Sequence, residues 1–300
     1  MLKNYFTIAW RNITRHKAYA AINIAGLAVG IAACLLLFIV VTYELSYDKF
    51  QPNYNHIYHL ASKIKSADGD SYETGIPYPA YDALRTQFPD VVTGALFQNY
   101  NCQVTALNTN DANSFSNKKF IEENTVFFSD PNFFSVFQYK WLAGNAQVLK
   151  NPNTAVITKK MAEKYFGNWQ SAIGGLLKID NTATVKIEGI LNDAPQNTDF
   201  PIGVIPSYET MKKYPDTYGY SDRWGSVTSS FQAFMLLPQN VSAAAINKRL
   251  VSFSNEHYNT DKKDIFKTYQ FLQPLSDIHF NTSIGNFGDH ITSLTTLWTL

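Results

Sequence analysis

Residues Ala18 to Tyr43 carry no Lys, Arg, Asp or Glu. The run holds Leu27, Val29, Ile31, Leu35, Leu36, Leu37, Phe38, Ile39, Val40 and Val41. As a helix it would reach roughly 39 Å, against about 30 Å for the hydrocarbon core of a bilayer. A soluble domain rarely holds so long an apolar helix, so 18–43 reads as a transmembrane helix. The competing reading is a cleaved signal peptide, whose apolar region is shorter and ends at a small-x-small site. Val41-Thr42-Tyr43-Glu44-Leu45 follows here and is a poor cleavage site.

The flanks set a direction. Lys3, Arg11, Arg15 and Lys17 precede the run, no acid occurs from Met1 to Tyr43, and Glu44 and Asp48 follow. Basic residues stay on the cytoplasmic side, which places the N-terminus inside and residues 44–300 mostly outside. Within 1–17, Leu2, Tyr5, Phe6, Ala9, Trp10 and Ile13 recur at helical spacing, while Lys3, Arg11 and Arg15 fall largely off that stripe. This predicts an amphipathic helix in the cytoplasmic headgroup layer, in contact with membrane lipid. In the span, Gly26 and Gly30 form a G-x-x-x-G pair, and Ala33 continues the small face. Small residues let helix backbones approach in lipid, so these three are the expected helix-packing positions. Asn23 is the strongly polar side chain near the cytoplasmic end, and fits a cap, an interfacial residue or a helix contact.

The chain has 25 basic and 24 acidic residues, a net +1. Removing the four bases of the first 43 residues leaves 21 against 24 acids, a net −3 for the remainder. No stretch has the basic density of a nucleic-acid surface. Of the two cysteines, Cys34 lies in the span and Cys102 beyond it, which argues against an internal disulfide. Cys102 then reads as a small buried apolar residue. About 255 residues follow the span, enough for one substantial core or two smaller ones.

That outer part reads as α+β. His56 to Lys65 predicts a strand. Pro79 opens a helix with Tyr81, Leu84 and Phe88 on one face, Pro89 ends it, and a strand follows around Ala95 to Leu107. The same β-α-β order returns with a strand at Phe231–Leu237, a helix capped by Ser242 with Ile246, Leu250 and Phe253 inward, and a strand at Thr268–Leu272. Two such units at opposite ends predict one split layer with helices on one face of a sheet. Between them, Asp130-Pro131 predicts the cap and first turn of a short helix carrying Phe133, Phe134 and Phe137. Thr158 caps another helix, which Gly167 ends. Strands are expected at Thr154–Ile157, Leu176–Ile179 and Val185–Leu191, with a turn at Asp180-Asn181 and a loop at Asp193–Asn197. The polar stretch Asn108–Asn117 reads as an exposed loop. The expected limits are 44–114 with 226–285 for the split α+β lobe, 115–225 for an inserted β-rich lobe, and 286–300 for the approach to a second span.

Several segments together carry a resemblance. They are Trp10-Arg11-Asn12-Ile13, Asn23-Ile24-Ala25-Gly26-Leu27-Ala28-Val29-Gly30, Tyr47-Asp48-Lys49-Phe50, Asp130 to Phe137, Ala162-Glu163-Lys164-Tyr165-Phe166-Gly167, and Pro274 to His279. In this order and spacing the chain resembles the N-terminal portion of a MacB-like, FtsX-family ABC transporter permease. Thr198-Asp199-Phe200 departs from that pattern, standing where such proteins often carry Ser-His before the aromatic. The resemblance implies a periplasmic core with a porter-like lobe and an inserted lobe, in the cytoplasmic (inner) membrane. It further implies a separate or fused ABC ATPase subunit, a second permease copy, and in some assemblies a periplasmic adaptor. The implied activity is efflux or extrusion of a periplasmic substrate. Four membrane helices are implied for full-length relatives, so a chain of this length reads as a fragment.

No G-x-x-x-x-G-K-[ST], C-x-x-C, H-E-x-x-H or G-x-S-x-G occurs. The chain is therefore not expected to be an enzyme, and no cofactor or metal is expected. His56 and His59 are three apart and would face opposite sides of a strand. Asp277 and His279 are two apart and could share a face, positioning the return to the membrane. Glu122-Glu123 reads as a solvated pair. Phe133, Phe134 and Phe137 read as core or, alternatively, as a contact surface for a partner or cargo. The alternative to a permease is a single-span, membrane-anchored extracytoplasmic binding or sensing module.

Overall fold

The computed structural model describes residues 2–107, 118–225, 227–261, 265–288 and 290–299. The expected loop at 108–117 lies outside them. The chain divides into two units, one of Met1–Ser46 with Thr295–Leu300 and one of Tyr47–Leu294.

In the first unit, helix α1 (Leu2–Arg15) and helix α2 (Lys17–Glu44) are separated by His16. α2 has 28 residues and a window of mean hydropathy 2.9, none of it buried, so it is long and apolar enough to cross a membrane. Gly26 and Gly30 have nothing within 4 Å of the place a Cβ would occupy, so the small face of α2 is open.

The second unit is built on two sheets. The strands are β1 (Ile57–Ser66), β2 (Gly69–Glu73), β3 (Val92–Gln98), β4 (Cys102–Leu107), β5 (Lys118–Glu122), β6 (Phe127–Ser129), β7 (Trp141–Ala143), β8 (Thr154–Thr158), β9 (Leu176–Ile179), β10 (Ala183–Leu191), β11 (Val204–Pro206), β12 (Phe231–Leu236) and β13 (Lys267–Pro274). Its helices are α3 (Tyr78–Gln87), α4 (Phe133–Val136), α5 (Lys159–Phe166), α6 (Tyr208–Lys213), α7 (Pro215–Tyr218), α8 (Ala243–His257) and α9 (Leu275–Ile278), while α10 (Leu294–Thr299) belongs to the first unit from Thr295 on.

The first sheet runs β13-β1-β12-β3-β6, all antiparallel, with β2 also on β1. Its first four strands in that order form two interleaved β-α-β units, β1-α3-β3 and β12-α8-β13, the split arrangement expected from sequence. Pro79 sits in the first turn of α3, and the Ser242 hydroxyl accepts from the Ala245 amide at the start of α8. Helices on one face only were expected, but both faces are covered. Along β12, Phe231, Ala233 and Met235 enter the core shared with α3 and α8. Phe234 points the other way, to Phe133, Phe137, Phe200, Leu275 and Ile278. Gly94 on β3 allows the close approach of α4, since a Cβ there would lie 2.6 Å from the Phe133 Cα.

The second sheet runs β11-β8-β10-β9-β4-β5, with β7 on β10. β8 and β10 are parallel, bridged by α5, whose ends match the sequence. The Thr158 hydroxyl accepts from the Met161 amide, and Gly167 closes the helix at φ 85°. On β10, Ala183, Val185 and Ile187 are buried and alternate with Thr184, Lys186 and Glu188. The single strand expected at Ala95–Leu107 is instead two, because Asn101 at φ 50° breaks it. β3 stays in the first sheet and β4 turns into the second. Conversely β6, from the middle of the chain, pairs with β3 of the first sheet. Parallel bridges Val126–Val204 and Ser129–Ser207 connect the β6 region to β11 and its flank. The excursion between β3 and β12 leaves and returns at neighbouring strands, and the Gln98 amide donates to the Ser230 carbonyl at 2.8 Å.

Candidate functional site

Three segments far apart in sequence close on one buried polar cluster in the second unit. Asp48 and Asp199 are each 1 % exposed and His279 is 2 % exposed. Asp48 lies just beyond α2 in the chain and takes φ 54°, a conformation that Asp tolerates better than most residues. Its amide donates to the Asn197 carbonyl at 3.0 Å. Its carboxylate in turn accepts from the Thr198 hydroxyl at 2.5 Å and from the Asp199 amide at 3.2 Å. This reciprocal pairing fixes the 197–199 turn against the segment that follows α2. The Asp199 Oδ1 then accepts from His279 Nδ1 at 2.9 Å and from Asn286 Nδ2 at 2.8 Å. His279 is held from its face by Tyr47, stacked at 3.5 Å and 17°. Its carbonyl accepts from the Thr292 amide.

The electrostatics follow from that geometry. Burial and the neighbouring Asp199 charge push Asp48 up to about 7. The Thr198 and Asp199 bonds and the His279 ring pull it partly back. No lysine or arginine is among the groups that set this value. The cluster therefore combines two carboxyls and one imidazole in a site that can exchange a proton near neutral pH. Its chemistry is that of a titratable clasp joining the segment after α2, the loop after β10 and the segment after α9.

Sequence reasoning reached these segments without joining them. Tyr47-Asp48 and the stretch ending in His279 were singled out as motifs, while Thr198-Asp199 was read as a local turn departure. The available signal was an acid or imidazole in each of three segments rich in aromatic residues. Asp277 and His279 do not share a face. They lie on and after α9, a helix rather than a strand, and Asp277 instead accepts from Gln273 and Asn281.

The other singled-out residues separate. His59 is buried with its ring nitrogens on Gln273 Oε1 and the Thr74 carbonyl, while His56 lies in the turn before β1. Glu122 is not solvated: it is 4 % exposed and accepts from Lys164 Nζ at 2.6 Å and the Tyr165 hydroxyl at 2.7 Å. Phe133 and Phe137 are fully buried and stacked on one another, and Phe134 is half-buried against Trp141. The core reading holds for Phe133 and Phe137, which present no surface to a partner. The regular part of α4 begins at Phe133, but Asp130 opens the turn before it: one carboxylate oxygen accepts from the Asn132 amide, the other from the Tyr81 hydroxyl, and its carbonyl accepts from the Phe133 amide. Cys102 is buried, as expected, and burial raises its thiol.

The chain belongs to the family described as MacB-like periplasmic core domain, which it matches over residues 20–253. This is a family of permease components of ABC transporters. His279 and Asn286 lie beyond the matched residues. The fold is similar to a crystal structure of a domain of a Porphyromonas gingivalis protein described as a permease. That likeness has a TM-score of 0.61 at 15% identity, covering 83% of this chain and 98% of the other. A second similar structure is the periplasmic region of MacB from Actinobacillus actinomycetemcomitans. It has a TM-score of 0.46 at 12% identity, covering 72% of this chain and 88% of the other. Comparison with curated proteins gives no match.

Proposed function

We propose that this chain is part of a permease subunit whose outer domain is moved by ATP hydrolysis on a separate cytoplasmic ATPase subunit, so that a periplasmic substrate is exported or extruded. In this reading α2 crosses the inner membrane with the N-terminus in the cytoplasm, following the basic flank before it. The lobes expected at 44–114 with 226–285 and at 115–225 then form the periplasmic body. The open face of Gly26, Gly30 and Ala33 receives another membrane helix, from a second copy or from the same permease.

The observation that carries the reading is the clasp. A membrane helix can move an outer domain only if the chain leaving the bilayer is anchored in that domain. Asp48, four residues past the end of α2, is hydrogen-bonded to the loop after β10, and that loop to His279 and Asn286. Displacement of the segment after α2 is thus passed to both sheets through buried bonds rather than through a loose linker.

The test is co-purification of the complete gene product with an ATPase subunit, with and without nucleotide. Association is the expected result, and failure to associate under every nucleotide condition would overturn the reading. Within such a complex, Asp199→Ala is expected to preserve ATP hydrolysis while reducing extrusion, because the lever is loosened but the motor is untouched.

A further inference from the structure

α1 and α2 bend apart at His16, which has φ −115° and ψ 58° and makes no side-chain cap. The bend opens a groove lined by Asn12, Ile13, His16, Tyr19, Asn23 and Ile24. Two of the motifs singled out in the sequence, Asn12-Ile13 and Asn23-Ile24, thus face each other across it. The groove is chemically divided. Asn12, His16 and Asn23 bring two amides and an imidazole, and no side-chain hydrogen bond engages them among the described residues. Ile13, Tyr19 and Ile24 bring exposed apolar surface. Arg11, Arg15 and Lys17 are sequence neighbours of these lining residues, with Lys3 further along α1, and no acid lies between Met1 and Tyr43.

We propose that this groove binds one anionic phospholipid, its phosphate held by Asn12, His16 and Asn23 on a segment whose only charged side chains are basic, and its acyl chain along Ile13 and Ile24. The inference rests on α2 being a membrane helix. Asn23 lies about 9 Å along α2 from Lys17, where the headgroup layer gives way to hydrocarbon. An amide there needs a partner that reaches into the bilayer, and a lipid phosphate or ester oxygen does so. Four bases without a single acid select a negative headgroup over a neutral one. A free phosphate would leave Ile13 and Ile24 uncovered, and an apolar protein helix would leave the bases and amides unanswered. The exposed Tyr5, Phe6 and Trp10 lay α1 on the same surface.

The experiment uses the full chain in nanodiscs of phosphatidylcholine mixed equally with phosphatidylglycerol, then transferred to mild detergent and weighed by native mass spectrometry. One retained phosphatidylglycerol per chain is expected, with little phosphatidylcholine. Asn12→Leu with Asn23→Leu removes the groove's amides and leaves every charge, and is expected to lower that retention at least about a hundredfold, the effect of losing two hydrogen bonds to a charged group. Equal retention by wild type and variant would overturn the specific site and leave only general charge attraction. No retention by wild type would also overturn it. Alkaline extraction of vesicles separates this from failure of the membrane reading. A chain that stays with the lipid but retains no phosphatidylglycerol refutes the site alone. A chain released by alkali refutes the span and the site together.

Discussion

Glu122 and Asp48 are both buried carboxyls of the second unit, and they meet different partners. Glu122, at the end of β5, meets the permanent charge of Lys164 and the hydroxyl of Tyr165, both from α5. Asp48 meets hydroxyl and amide donors, a second carboxyl in Asp199 and the imidazole of His279. The first site fixes a helix to a sheet through an ion pair and a hydroxyl donor. The second changes its charge within the physiological range, and it does so where three chain segments are tied together. The difference separates a static staple from a clasp whose strength depends on protons.

The strongest way to break this comparison is His279→Ala. It removes a buried donor to Asp199 and the surface on which Tyr47 stacks, and is expected to cost about 3–5 kcal/mol. Urea titration of the full chain in detergent, followed by tyrosine and tryptophan fluorescence, measures it. A loss no larger than that of Glu122→Gln would remove the distinction.

The pH dependence sharpens it. The folded Asp48 titrates near 7 and the unfolded residue near 3.8. Its contribution to stability is therefore fully present below the unfolded value and is lost as pH rises through the folded one. Between these limits stability should fall by roughly 4 kcal/mol in total, at about 1.4 kcal/mol per pH unit. The groups facing Asp48 are Asp199, His279 and Thr198, and its charge is also felt at Tyr54 and Tyr139. Asp48→Asn should flatten this slope, as read from unfolding midpoints at a series of pH values. A slope unchanged by the substitution would place the titration elsewhere.

Smaller effects belong to the staple. Glu122→Gln is expected to cost about 1–3 kcal/mol, because the Tyr165 hydroxyl and Lys164 lose a charged acceptor. Lys164→Ala should cost less than about 1 kcal/mol, since its side chain is 40% exposed and solvent screens it, and the cost should shrink further in high salt. A Lys164→Ala loss as large as that of Glu122→Gln would show that the lysine, not the tyrosine, holds α5.

Local signals carried much of this fold. Thr158, Ser242, Pro79 and Gly167 mark helix ends by chemistry confined to one turn, and the structure keeps each of them. The interleaved β-α-β order was legible because each unit is contiguous. What failed was non-local. Nothing within Ala95–Leu107 reveals that the chain changes sheets at Asn101, since both halves have strand-like side chains. Glu122 looked solvated because its partners lie some forty residues later on α5. The clasp was harder still. Asp48, Asp199 and His279 are separated by 151 and 80 residues, and each has an ordinary local role in isolation. Only their shared burial turns them into one site.

The hydrogen bond between Gln98 and Ser230 has a consequence for how such domains diversify. The intervening chain departs and rejoins at neighbouring strands of the first sheet, and this detour is itself tied to the scaffold where β6 pairs with β3 and α4 packs on Gly94. Lengthening a detour of this kind raises its closure entropy only slowly, by about 0.6 kcal/mol for each doubling. The scaffold strands can therefore keep their register while those parts of the detour that lie outside β6 and α4 are resized.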